Sequence, residues 1–322
     1  MAGPDRGALA GHVAMLAFSA GIAGSFALGS KAANLIDPAV LMVPRFILGA
    51  ALVGATAAAA GKLRRAYFAG AWRFVVLGGM FAAYFILMFE ALKTAEPVSA
   101  SAVFTLTPPM AGLFGWLLLR QVTTPRAAVA IAMGAAGALW VIFDASWQAL
   151  LALRLGRGEA IYLVACAIHA LYTPMVPKLS RGEPVLALSL GTLVAGAVWS
   201  LAAAGRDVVA TDWGALPPIV WITVLYLGVV ATAVTGTLVQ FGSLRLPASS
   251  VMAYTYLVPT WVILWEIALG QGWAGPAILP GIALTVAAMV VLLTAGRRRA
   301  EAVGGRAGGA VAQASASDSP PK

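Results

Sequence analysis

The chain has 322 residues, 61% of them hydrophobic and 10% charged, with a mean hydropathy of +0.90 and a net charge of +9. Soluble domains carry about 25% charged residues, so the composition excludes a water-soluble globular protein, a disordered chain and, despite the positive charge, a nucleic-acid binder. A membrane-crossing helix uses roughly 20 apolar residues, so ten of them take roughly 200 and leave no room for a sizeable soluble domain.

Apolar runs punctuated by charge, Gly and Pro predict spans at 12–31, 38–60, 74–92, 98–119, 127–143, 159–178, 184–204, 216–238, 248–270 and 276–296. The first run lacks the basic flank and cleavage pattern of a signal peptide and reads as a permanent span. Residues 1–11 precede it. Residues 12–143 and 159–296 each hold five spans, 144–158 link them, and 297–322, rich in Gly, Ala, Ser and Pro, read as a disordered tail. The alternation of a membrane barrel is absent, and the expected fold is all-α.

Arg6, Lys62, Arg64, Arg65, Arg73, Arg120, Arg126, Lys178, Arg181, Arg245, Arg297, Arg298, Arg299, Arg306 and Lys322 fall on one side of this topology. Only Lys31, Lys93, Arg154, Arg157 and Arg206 fall on the other. The asymmetry predicts both termini in the cytoplasm, with the basic loops against anionic lipid.

The two halves repeat. Shifted by 150 positions, the stretch from Leu77 to Met110 falls on that from Leu227 to Thr260 without a gap. Pro97 meets Pro247, Ser99 meets Ser249, Thr105 meets Thr255, Pro109 meets Pro259, and Glu90 meets Gln240. Five spans per half place the halves in opposite orientations, which makes an inverted repeat.

In inverted-repeat transporters the substrate site lies near mid-membrane, where helices are interrupted. Pro108 and Pro109 in span four and Pro259 in span nine mark such interruptions. Each removes a helix hydrogen bond, and the carbonyls left open belong to Phe104, Thr105 and Thr255. Either the prolines line a cavity or they merely kink their helices. The polar and aromatic side chains at this depth are Ser25, Tyr84, Thr105, Thr107, His169, Tyr172, Thr235, Tyr254 and Tyr256. They are the candidate substrate-binding residues. Tyrosines offer an apolar face with a hydroxyl handle. His169 either contacts substrate or carries a proton, or else bonds a neighbouring backbone carbonyl. Intramembrane charge is confined to Arg45, Glu90 and Glu266. Arg45 is expected to snorkel outward or to pair with Glu90 or Glu266; alternatively it receives a substrate carboxylate or phosphate. Small residues at four-residue spacing, Ala130, Gly134 and Ala138 in span five and Ala277, Gly281 and Thr285 in span ten, predict close packing between these helices or a dimer contact.

Lone Cys166 excludes an internal disulfide, and with His12 and His169 it makes no metal site. No Walker-type phosphate loop, HExxH or GxSxG is present, so neither an ATP-driven pump nor an enzyme is expected, and no cofactor is implied.

Gly24-Ser25-Phe26 followed by Lys31, Pro38 and Arg45-Phe46 resembles the opening pattern of the ten-helix EamA-type branch of the drug/metabolite transporter superfamily. Ala91-Leu92-Lys93, Ser99-Ala100-Ser101-Ala102 and Thr107-Pro108 resemble its corner between helices three and four, repeated as Pro247 to Val251 and Val258-Pro259. Ala23 replaces a common Trp, and Gln121 and Gln271 stand near the family's usual Gly-Glu positions. Span one has no Asp or Glu, unlike the proton-coupled small multidrug pumps of the superfamily. The resemblance covers about residues 12–296. It implies alternating access by rocking of inverted halves, and a cavity among helices one, three, four, six, eight and nine. It also implies export of small metabolites such as amino acids across a bacterial inner membrane by a monomer or homodimer. The mid-depth tyrosines lean toward amino acids, aromatic ones among them. The alternatives are a carrier of an anionic metabolite, such as a sugar phosphate or nucleotide sugar, and a passive channel.

Overall fold

The structure, a computed structural model, describes residues 6–122, 125–143, 146–148, 156–271 and 275–291. The expected tail, the first five residues and most of the expected linker lie outside the described residues. Ten helical spans follow in order: α1 (Arg6–Ala32), α2 (Pro38–Ala59), α3 (Trp72–Ala91), α4 (Pro97–Leu119), α5 (Pro125–Ile142), α6 (Arg157–Leu179), α7 (Val185–Ala204), α8 (Pro218–Ser243), α9 (Ala248–Ala268) and α10 (Pro276–Val291). Eight are long and apolar enough to cross a membrane, and α5 and α10 are shorter. No strand occurs among the described residues. The protein is all-α, with two five-helix repeats.

Proline sets several helix starts, because the first turn needs no N–H and φ is already helical. Pro38, Pro97, Pro218 and Pro276 occupy such positions. Asp37 strengthens the start of α2, its carboxylate accepting from the N–H of Ala39 at 2.8 Å and of Val40 at 3.2 Å.

Three spans are interrupted. α4 is helical over Pro97–Phe104 and again over Thr107–Leu119. α9 is helical over Ala248–Met252 and Val258–Ala268, joined by a 3-10 turn at Ala253–Leu257. The breaks fall at repeat-related positions. Thr105 Oγ1 donates to the Ala102 carbonyl at 2.6 Å, and Thr255 Oγ1 to the Met252 carbonyl at 2.7 Å, the same bond 150 residues on. Pro108 and Pro259 open the second segments, where a proline removes nothing the helix needs. Two of the three carbonyls expected to be open are closed: Phe104 accepts from Thr107 Oγ1 at 2.7 Å, and Thr255 from the N–H of Val258. α8 differs again, with a π turn at Val229–Val234.

The repeats interleave. α2 packs on α7, its counterpart; α3 packs on α6 while α1 packs on α8; and the first segment of each broken helix packs on the second segment of the other. Where α4 and α9 cross, Thr107 Oγ1 and Thr255 Oγ1 lie 3.2 Å apart. Each of these contacts joins one half to the other, so any rocking of the halves would slide all of them. Water supplies no hydrophobic drive between lipid-immersed helices, so close approach of small residues carries the packing. A Cβ built on Gly78 would lie 2.6 Å from the Gly196 nitrogen and the Thr192 carbonyl of α7.

The expected small-residue contact between α5 and α10 is present but centred elsewhere. Gly137 and Gly281 face each other, a Cβ on Gly281 falling 2.7 Å from the Gly137 carbonyl. Gly134 instead receives the ring of Tyr256. Gly281→Leu is therefore expected to lower stability by about 1–3 kcal/mol, since backbone blocks the added atoms. Thermal unfolding in detergent measures it, and a melting temperature equal to the parent's would show that the pair tolerates separation.

Candidate functional site

α1, α3, α6 and α8 converge on a central cleft. It is lined by Phe18, Ile22, Phe81, Tyr84, Phe85, His169, Thr235, Gly236 and Val239. Phe81, Tyr84 and Phe85 share one face of α3 by their i, i+3, i+4 spacing. Gly236 of α8 faces the Phe81 ring, where an added Cβ would lie in ordinary contact at 3.4 Å. The cleft holds about 200 Å³ of empty space, pinched too narrow for a water molecule. Two of its helices come from each repeat, so separating the halves widens it.

His169 is 2% exposed, and neither ring nitrogen has a hydrogen-bond partner. Its ring is held by stacking instead. Tyr84 lies at 4.4 Å and 25°, Tyr172 at 6.1 Å and 7°, and Phe104 at 5.6 Å and 40°. The alternative of a structural histidine bonded to a backbone carbonyl does not hold. A buried polar group without a partner costs about 1–3 kcal/mol, and native proteins keep few of them. The residue also borders the cleft.

Around the cleft the polar atoms are paired. Tyr84 Oη and Tyr162 Oη share a hydrogen bond at 3.0 Å. Gln240 Nε2 donates to Tyr172 Oη at 2.8 Å and to Thr192 Oγ1 at 3.1 Å, while Ser189 Oγ donates to Gln240 Oε1 at 2.7 Å. Thr235 Oγ1 donates to the Ala231 carbonyl at 2.8 Å.

Arg45 departs from expectation. It neither snorkels nor pairs with Glu90 or Glu266, and it is 0% exposed. Its Nε donates to Thr232 Oγ1 at 2.6 Å and its Nη2 to the Ala231 carbonyl at 3.3 Å, both in the π turn of α8. Its guanidinium lies 3.4 Å above the Phe85 ring, whose other contacts reach the cleft. Arg45 thus clasps the π turn, sharing the Ala231 carbonyl with Thr235 Oγ1. Thr235 and Gly236, which follow that turn directly, are thereby set against the cleft.

The other expected residues scatter. Tyr172 stands behind His169, with its ring stacked on Phe81 at 5.3 Å. Ser25 is buried with its hydroxyl unpaired, but it does not line the cleft. Thr105, Thr107, Pro108, Pro109 and Pro259 form the helix breaks, and none lines the cleft. Tyr254 Oη lies 3.1 Å from His12 Nδ1. Tyr256 points away, its hydroxyl donating to the Ile131 carbonyl at 3.5 Å. Glu90 pairs with Lys93 at 2.6 Å at the end of α3. Glu266 Oε1 is buried without a hydrogen-bond partner, and the residue does not line the cleft.

Reasoning from sequence passed over Phe18, Phe81, Phe85, Tyr162 and Gln240. The phenylalanines carry no signal, because a helix face of Phe is read as packing. Gln240 carries one: it is the only buried amide in the second half's α8 and stands where the first half has Glu90.

A search of curated proteins finds no match. One solved structure, described only as the crystal structure of a protein, superposes with a TM-score of 0.71 over 92% of this chain and 99% of its own, at 21% sequence identity. That likeness concerns the fold. The pattern of the EamA-like transporter family matches residues 9–143 and again 156–294. Two copies, one on each five-helix half, cover most of the chain, and the protein belongs to the EamA-like transporter family.

Proposed function

We propose that this transporter of small metabolites is a secondary exporter of amino acids or related compounds, aromatic ones among them, working by alternating access between its inverted halves. The observation that carries the reading is His169: a buried imidazole with two unpartnered nitrogens, on the edge of an aromatic cleft shared by both repeats. Tyr84, Phe81, Phe85 and Phe18 supply ring faces for an organic side chain, and His169 supplies a donor and an acceptor for its polar end. Thr235 adds a hydroxyl on the opposite helix. The basic loops favour both termini in the cytoplasm, and the family resemblance favours a bacterial inner membrane.

The test is uptake of radiolabelled amino acids into proteoliposomes, with and without an imposed pH gradient. Saturable uptake is expected. His169→Ala is expected to lower kcat/KM about tenfold or more, the loss of one well-placed hydrogen bond. It breaks no hydrogen bond within the protein but removes a ring packed on Tyr84, Tyr172 and Phe104, so the melting temperature should fall by the cost of the cavity and uptake is read per folded protein. His169→Asn, which keeps a donor and an acceptor, should recover part of the activity. Non-saturating flux would favour a channel.

A second reading, transport of an anionic metabolite, draws on Arg45, which has no carboxylate within 4.0 Å among the described residues. Uptake of a sugar phosphate in place of every amino acid would favour it.

A further inference from the structure

A groove of about 540 Å³ runs over the outer surface between the start of α3 and much of α7. Its walls are hydrocarbon, from Phe68, Phe74, Val75, Val194 and Val198, and the indole N–H of Trp199 is taken by the Val75 carbonyl at 3.0 Å. Its α7 residues extend from Leu190 to Ala202, roughly 18 Å at 1.5 Å per residue. The hydrocarbon half-thickness of a bilayer is about 15 Å, so the groove has the length of one acyl chain.

One end of the groove is cationic. Phe68 closes a 3-10 turn that Arg65 opens, Arg65–Phe68. Residues i and i+3 eclipse in that geometry, so Arg65 stands over the groove's end residue. Arg181, from the loop between α6 and α7, lays its guanidinium over Gly70, between Phe68 and Ala71. Gly70 has φ of +69°, and a Cβ there would lie 2.9 Å from Arg181 Nη1. Both arginines are exposed, and neither belongs to an ion pair among the described residues. Arg73, beside them, is already held by Glu183 at 2.8 Å.

An apolar slot one chain long, headed by two uncompensated guanidinium groups, matches a phospholipid whose phosphate carries the charge, since guanidinium recognises phosphate oxygens in pairs. We infer that the groove seats one anionic phospholipid, with an acyl chain along α7 and the headgroup between Arg65 and Arg181. α3 belongs to the first repeat and α7 to the second. A lipid seated there touches both halves and favours the conformation in which these helices lie together.

The test is thermal unfolding of the full chain in neutral detergent, titrated separately with phosphatidylglycerol, phosphatidylcholine and glycerol phosphate. Phosphatidylglycerol should raise the melting temperature saturably, phosphatidylcholine much less, and glycerol phosphate not at all. R65Q/R181Q should weaken the phosphatidylglycerol response on the order of 30-fold, from about 1 kcal/mol per basic residue at a lipid surface. Its melting temperature without lipid should be unchanged, because both side chains are exposed. Val198→Trp, which fills the groove from a position 61% exposed, should abolish the response with both arginines in place. Equal shifts from the two lipids, or a full response in either variant, would overturn the inference. A shift from glycerol phosphate alone would reduce the site to a simple anion site. A fall in particle mass from dimer to monomer on Val198→Trp, measured by light scattering, would assign the groove to a second copy of the chain and overturn it as well.

Discussion

Glu183→Ala is expected to destabilise the protein by about 3–5 kcal/mol, the typical cost of leaving one member of a buried ion pair alone. Glu183 and Arg73 pair at 2.8 Å with side-chain exposures of 2% and 3%. Arg73 Nη1 also donates to the Leu179 carbonyl at 2.7 Å, and Nη2 to those of Ala69 at 3.2 Å and Tyr67 at 3.4 Å. Glu183 Oε2 accepts from the N–H of Arg181 at 2.7 Å. The pair thus ties the loop before α3 to the loop between α6 and α7, one from each repeat. Removing the carboxylate strands a guanidinium whose Nε already has no partner. The melting temperature should fall by roughly 10 °C at the shift per kcal/mol typical of larger domains. Glu183→Gln, which keeps an acceptor, should fall less. A melting temperature within error of the parent's for Glu183→Ala would mean that water reaches the guanidinium and that the latch contributes nothing.

Arg45→Ala is the second large effect. Arg45 is among the largest fully buried side chains, and its loss leaves a cavity, an unpaired Thr232 hydroxyl and the Ala231 carbonyl with one donor fewer. Together these are expected to cost about 3–5 kcal/mol. Arg45→Lys should restore little of the transport activity. One ammonium cannot bond Thr232 and Ala231 through separate nitrogens while lying flat on Phe85. Arg45→Met retains the volume and relieves the desolvated charge, so it should melt near the parent's temperature. It should still transport poorly, because the π turn loses the donor that holds Thr235 and Gly236 against the cleft. Hydrogen exchange at Val229–Val234 reports that loss directly. A Met variant with full transport and unchanged exchange would sink the argument that Arg45 shapes the cleft.

Much of the architecture was legible because lipid imposes a coarse rule. A run of apolar residues must be a helix, and the matched Thr105 and Thr255, 150 apart, mark the same break in each half. His169 and Tyr84 could be found since polar and aromatic groups at mid-depth are few. What sequence does not carry is rotation about a helix axis. Tyr254 and Tyr256 are two residues apart in a 3-10 turn, and one meets His12 while the other leaves for α5. Arg45 was misjudged because a charge in an apolar run suggests either an opposite charge or escape to water. Its actual partners are a ring and, in the irregular turn of another helix, a hydroxyl and a carbonyl. Arg73 counts in the sequence only as a loop charge and Glu183 carries no signal, since nothing in their local sequence reports that the loops of opposite halves meet.

The π turn has an energetic consequence for the transport cycle. In a perfectly two-fold inverted structure, the states open to either side would be mirror exchanges of the same two half-conformations and would have equal free energy. Here α8 carries the π turn at Val229–Val234, while the matching stretch of α3 is regular helix. The degeneracy is lifted. A difference of about 1.4 kcal/mol would make one orientation tenfold more populated at rest. In a carrier that alternates access as proposed, the substrate-free protein would favour one side, and the turn clasped by Arg45 would help set which.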